Sequence, residues 1–134
     1  MALNPGDYAL INMVLQTILL FGIIAGITYA RKRNIRDHCK IISVAWLIQL
    51  FSIVLFMSPA MRATNYSAIN SVLGAEVLLH HGLGLLVFLL VPYLHLILSG
   101  KLKAIINLRS LMKVAAFSWT LSYLLGLHIF TMVA

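Results

Sequence analysis

Four long apolar runs take up most of this chain, and each is close to the length a helix needs to cross a bilayer. A transmembrane helix requires about 20 predominantly apolar residues to span the hydrocarbon core. The first run extends from about Tyr8 to Ala30 and stops at Arg31, Lys32 and Arg33. Pro5 and Asp7 suit its start, because proline is tolerated in the first turn and an acid favours a helix N-terminus. The second run covers about 41–58, with Ser58 and Pro59 as its expected end and a polar loop from Ala60 to about Asn70. The third covers about 72–99 and is expected to stop at Gly100. The fourth covers about 108–133. Hydrophobic residues make up 62% of the 134 and charged residues 10%. A soluble domain carries roughly a quarter charged residues. These features predict an all-α fold: an integral membrane four-helix transmembrane bundle, with residues 1–134 as a single domain.

The formal net charge is +7, and its placement matters more than its size. Let side A be the membrane side holding both termini and side B the other. Side B then holds Arg31, Lys32, Arg33, Arg36, Lys40, Lys101, Lys103, Arg109 and Lys113, and side A holds only Arg62. The positive-inside rule makes side B cytoplasmic. The expected location is the plasma membrane, multi-pass, with N- and C-termini extracytoplasmic. Basic clusters flanking apolar runs orient a membrane protein, so no nucleic-acid partner is expected. The first run is read as a retained span, not a cleaved signal peptide, because Asn4, Pro5, Gly6 and Asp7 precede it in place of a basic segment. Cys39 is the single cysteine, which excludes an intramolecular disulfide.

Histidine is rare inside membrane spans, where a polar ring needs a partner. This chain has five: His38, His80, His81, His95 and His128. His81 and His95 lie 14 residues apart on the third run, which is about 40° short of four turns, so both project from nearly one face. Their separation along the axis is roughly 21 Å, which puts one near each surface. The alternating topology then sets His128 at the level of His81 near side A, and His38 at the level of His95 near side B. Two imidazoles facing each other across a gap are what a low-spin haem iron takes as axial ligands. The expected pairs are His81 with His128 and His95 with His38, with His80 as the alternative ligand.

Weaker features accompany these pairs. Gly82, Gly84 and Gly126 adjoin the candidate ligands, and a flat macrocycle needs small neighbours. Gly22 and Gly26 form a small-xxx-small step that ordinary helix packing also uses. Arg36, Lys40, Arg109 and Lys113 on side B, and Arg62 on side A, are placed to meet haem propionates. Their role as topology determinants already accounts for them. Pro92 lies inside the third run, removes the hydrogen bond to the Phe88 carbonyl and is expected to kink the helix. The methionines are dispersed and form no copper-ligand pattern in the sequence.

A helix with two histidines 14 apart, joined by single histidines on two other spans, resembles the di-haem cytochrome b membrane subunits. These include the subunits of formate dehydrogenase and nickel–iron hydrogenase, and bacterial cytochrome b561. The resemblance implies two haems b with bis-histidine ligation at His81, His128, His95 and His38. It also implies electron transfer across the bilayer and exchange with a quinone-like carrier, with possible partner redox subunits. The absence of a Cys-x-x-Cys-His motif agrees with non-covalent haem. The basic-histidine stretch Arg36 to Lys40 and the His80-His81 pair also resemble small four-helix proteins of cytochrome oxidase assembly. That resemblance implies haem handling instead. A cofactor-free accessory subunit is the third alternative. The first run has no embedded glutamate like that of the small multidrug transporters, and no nucleophile–base pair or phosphate loop is visible.

Overall fold

A computed structural model of the chain describes residues 4–63 and 70–133. Its elements in order are α1 (Pro5–Arg31), α2 (Ile35–Ser52), a π turn (Ile53–Met57), α3 (Ser58–Ala63), α4 (Ser71–Leu98) and α5 (Leu108–Val133). No strand occurs among the described residues. The α2 helix, the π turn and α3 run on as one span, Ile35–Ala63, so four helices are long and apolar enough to cross a membrane.

Local chemistry sets the helix ends. Asn4 caps α1: its Oδ1 accepts from the Asp7 amide at 2.9 Å, and Asp7 Oδ2 accepts from the Asn4 amide at 3.0 Å. This reciprocal box satisfies two donors that the first turn leaves open. Asn70 caps α4 by accepting from the Leu73 amide at 2.9 Å. Gly100 follows α4 with φ +73°, a left-handed conformation that glycine adopts without penalty. There the Gly100 amide reaches the Ile97 carbonyl and the Lys101 amide reaches the Leu96 carbonyl, closing the helix end.

The second span corrects one expectation. The helix passes through Ser58 and Pro59 and reaches Ala63. Pro59 has no amide to donate to the preceding turn. The backbone widens there: the Ser58 amide and hydroxyl both donate to the Ile53 carbonyl, the hydroxyl at 2.8 Å. A π turn lets the rod continue past a proline that would otherwise end it. Positions 60–63 of the expected loop are therefore helical. Its residues 64–69, Asn65 and Tyr66 among them, lie outside the described residues.

Two hairpins make the bundle. The α1 helix packs along α2 and α4 along α5, and thinner seams between α1 and α5 and between α2 and α4 join the pairs. Contacts fix which ends meet. Asn12 and Gln16 of α1 reach Ser52 near the end of α2, Thr17 reaches Tyr123 of α5, and Ser43 reaches His95 of α4. Outward-facing side chains such as Phe21, Phe51, Leu78 and Phe117 are more than 60% exposed, as a lipid-facing surface requires.

Packing is uneven along the axis. Leu19, Ile23, Ala45, Val87, Val91 and Trp119 form the buried cluster, with Ile27, Ile42 and Trp46 against it. These residues occupy the middle and the side-B half. Pro92 lies inside an unbroken α4, and the carbonyl it releases is used: Trp46 Nε1 donates to the Phe88 oxygen at 3.0 Å. The Trp46 and Phe88 rings stack with centroids 5.1 Å apart. A neighbouring span thus satisfies the group that proline freed, which lipid could not do.

Candidate functional site

The side-A half holds a cavity of about 1070 Å³. Drug-sized and cofactor-sized sites run from about 300 to 1,000 Å³. Trp46, Phe88 and Trp119 form its floor, and Gly6, Ala63, Asn70 and Met132 mark the helix ends it reaches. Three of the five histidines line it: His80, His81 and His128. His38 and His95 do not.

The five imidazoles share one feature. In each, Nδ1 faces an oxygen that can only accept. His80 Nδ1 lies 2.7 Å from the Ser122 carbonyl, and His81 Nδ1 lies 2.7 Å from the Val77 carbonyl. His95 Nδ1 is 3.0 Å from the Val91 carbonyl and His38 Nδ1 is 2.9 Å from the Gly26 carbonyl. His128 Nδ1 is 2.8 Å from Glu76 Oε2. A carbonyl or carboxylate oxygen accepts, so Nδ1 carries the hydrogen and Nε2 presents its lone pair. Metal-ligating histidines are oriented in this way, by a second oxygen partner behind the ring.

What Nε2 meets separates the five. His95 Nε2 accepts from the Ser43 hydroxyl at 2.7 Å, across the α2–α4 seam. His81 Nε2 lies 3.1 Å from Met61 Sδ on α3. For His38, His80 and His128, Nε2 makes no hydrogen bond among the described residues.

The structure places the expected pairs as follows. His81 and His128 border the same cavity from α4 and α5. His38 turns towards α1 and His95 towards Ser43 of α2, so the side-B pair is held by two different helices. His80 faces α5, where its Nδ1–H donates to the Ser122 carbonyl while the Ser122 hydroxyl donates back to the His80 carbonyl at 3.1 Å. Its ring needs Gly126: a Cβ there would lie 2.8 Å from His80 Cε1. Gly26 admits Ile42 in the same way, with a Cβ 2.9 Å from Cδ1, whereas Gly22 and Gly82 meet nothing within 4 Å. Arg36, Lys40, Arg62 and Arg109 are all exposed near the helix ends.

Several side chains of the site were not singled out from sequence. Asn12 Oδ1 accepts from Ser52 at 2.6 Å, and Gln16 bridges Asn12 and Ser52 at 3.5 and 3.3 Å. Gln49 Oε1, on the cavity wall, is buried with no hydrogen-bond partner among the described residues. Such an acceptor calls for a donor from whatever enters. Glu76 orients His128, and an acid within a span is itself a flag for function. Met61 lies beyond Pro59, where the sequence reading ended the helix. Among the described residues no three His, Cys, Asp or Glu side chains cluster to hold a metal ion. No family model, no curated protein and no solved structure matches the chain, so its function is argued from this geometry.

Proposed function

We propose that this chain is a b-type membrane haem protein whose side-A cavity holds haem through His81 and His128. The observation that carries the reading is the shared imidazole state. Every Nδ1 is committed to an oxygen, and three of the five histidines line one cavity large enough for a macrocycle. Bound haem would supply one-electron exchange. Gln49 Oε1 offers an acceptor to a quinol hydroxyl, which supports exchange with a quinone-like carrier from the bilayer. In the di-haem form His95 and His38 would hold the second haem near side B, which would require His95 Nε2 to give up the Ser43 hydroxyl. Side B is cytoplasmic in this reading. A C-terminal alkaline phosphatase fusion would then be active, and an inactive fusion would reverse the orientation.

A second reading is favoured by the Ser43–His95 contact at 2.7 Å. It ties up the side-B ligand and leaves one haem on side A, as a haem-handling or oxidase-assembly protein would need. A haem count by the pyridine haemochromogen assay, on detergent-purified protein from haem-replete cells, separates the two. Two haems b per chain, with one lost in His128→Ala and the other in His38→Ala, support the electron-transfer form. One haem, lost in His128→Ala and kept in His38→Ala, leaves the side-A pair standing and removes His38 as a ligand, and haem that dissociates during purification supports haem handling. Folded protein with no haem at any step sinks both.

A further inference from the structure

The contact between His81 and Met61 is unusual in its electronics. His81 Nδ1 carries the hydrogen, because it faces the Val77 carbonyl at 2.7 Å. Nε2 therefore presents a lone pair, and so does the thioether sulfur 3.1 Å away. Two lone pairs at that distance repel unless something positive lies between them. A second proton on the ring would leave an imidazolium in an apolar span, and His81 forms no ion pair among the described residues, since Glu76 is held by His128. A soft cation resolves the contact without that cost. With metal bonds of about 2.0 Å to imidazole nitrogen and about 2.3 Å to sulfur, atoms 3.1 Å apart subtend about 90° at the ion. That is a chelating bite.

The surroundings select the ion. Thioether ligands favour copper(I) over zinc and harder cations. Met13, Met57, Met61 and Met132 all line the cavity, four of the six methionines in the chain. The absence of three clustered His, Cys, Asp or Glu side chains among the described residues disfavours a divalent site. His80 stands edge-on to His81 with ring centroids 5.0 Å apart and lines the same cavity. The π turn is what carries α3 past Pro59 and brings Met61 to His81.

We infer that the side-A cavity contains a copper(I) site, with His81 Nε2 and Met61 Sδ as chelating ligands. The site stands independently of the haem reading. Because His81 serves both, copper and haem exclude each other. The test is an anaerobic titration of the detergent-purified, haem-free chain with copper(I) against bicinchoninate. The wild type should retain one copper(I) per chain, with zinc(II) failing to compete. Met61→Leu, which keeps the apolar volume, should weaken retention at least about tenfold. Met61→Cys, which restores a soft donor, should recover it, and Met112→Leu, at a methionine that does not line the cavity, should leave it unchanged. Thermal unfolding in the same detergent checks that each variant is folded. X-ray absorption should show a copper–sulfur path that Met61→Leu removes. A wild type that yields all its copper to the chelator overturns the inference, as does a folded Met61→Leu variant that binds as tightly as wild type. Copper binding with this Met61 dependence in a chain that takes no haem would sink the haem reading alone.

Discussion

The two halves of this bundle use the same residue types to opposite ends. On side B, His95 and His38 close seams: one accepts from Ser43 of α2 and the other donates to the Gly26 carbonyl of α1. The apolar cluster of Leu19, Ile23, Ala45, Val87 and Val91 fills the space between the helices there. On side A, His80, His81 and His128 stand around a cavity of about 1070 Å³, backed by oxygen partners and presenting nitrogen inward or to the rim. What the second nitrogen meets sets His95 apart, engaged by Ser43, whereas His38 differs from the side-A three in lying outside the cavity. The Nδ1 partner alone does not distinguish them, since all five have one.

The largest effect that could break this contrast is loss of cofactor. In the proposed haem-bound form, His81→Ala should abolish the side-A haem, while His95→Ala should leave that haem's reduced absorption bands unchanged. If His95→Ala removed the side-A haem as well, the halves would not be independent. A smaller effect concerns packing. Gly126→Ala puts a Cβ 2.8 Å from a His80 ring whose Nδ1 is already fixed by Ser122. Overpacking of this kind costs about 1–3 kcal/mol. Gly26→Ala meets Ile42 at Cδ1, 2.9 Å, and Cγ1, 3.3 Å, the outer part of a side chain that can turn aside. Its cost should be under about 1 kcal/mol, since alanine also favours the helix. Thermal or denaturant unfolding in detergent should rank Gly126→Ala well below Gly26→Ala in stability, and equal values would remove the argument that His80 is clasped.

Trp46→Phe probes the floor between the halves. It keeps the stack on Phe88 but removes the Nε1 donor that satisfies the Phe88 carbonyl beside Pro92. Hydrogen bonds between membrane spans average about 0.6 kcal/mol, with values up to about 1.7. The cost should lie at the upper end, because the carbonyl has no backbone donor to return to. A neutral Trp46→Phe would show that α4 accommodates Pro92 without help.

Much of the bundle could be read from hydropathy and length, because a bilayer imposes both and every span had to meet them. The course of the second span could not. A proline rule is local, whereas the π turn depends on Ser58 finding the Ile53 carbonyl. Met61 was hidden with it. The histidines stood out as candidates, but their partners did not. Ser43 is one small residue in an apolar run, and nothing in the sequence marks it as the donor to His95. In the sequence His80 and His81 are alternatives, because they point about 60° and about 40° from the His95 direction around the helix. Both border the cavity, His80 from the α5 side and His81 towards α3, so the rotation separates their roles without excluding either.

Ser43→Ala carries the smallest energetic effect and tests the contrast most directly. Removing the hydroxyl takes away the donor to His95 Nε2 and leaves the ring held by the Val91 carbonyl alone. The stability lost should be near the average of about 0.6 kcal/mol for a hydrogen bond between spans. The chemical consequence is larger, because a bare imidazole nitrogen is nucleophilic and an engaged one is not. Diethyl pyrocarbonate acylates such nitrogens, and mass spectrometry of peptides locates the product. In the wild-type, cofactor-free chain, His128 at the rim should react fastest and His95 slowest. In Ser43→Ala the rate at His95 should rise several-fold while that at His128 holds. If His95 of the wild type reacted as readily as His128, Ser43 would not be holding it. The side-B pair would then be as open to a ligand as the side-A pair, which is the condition a second haem requires.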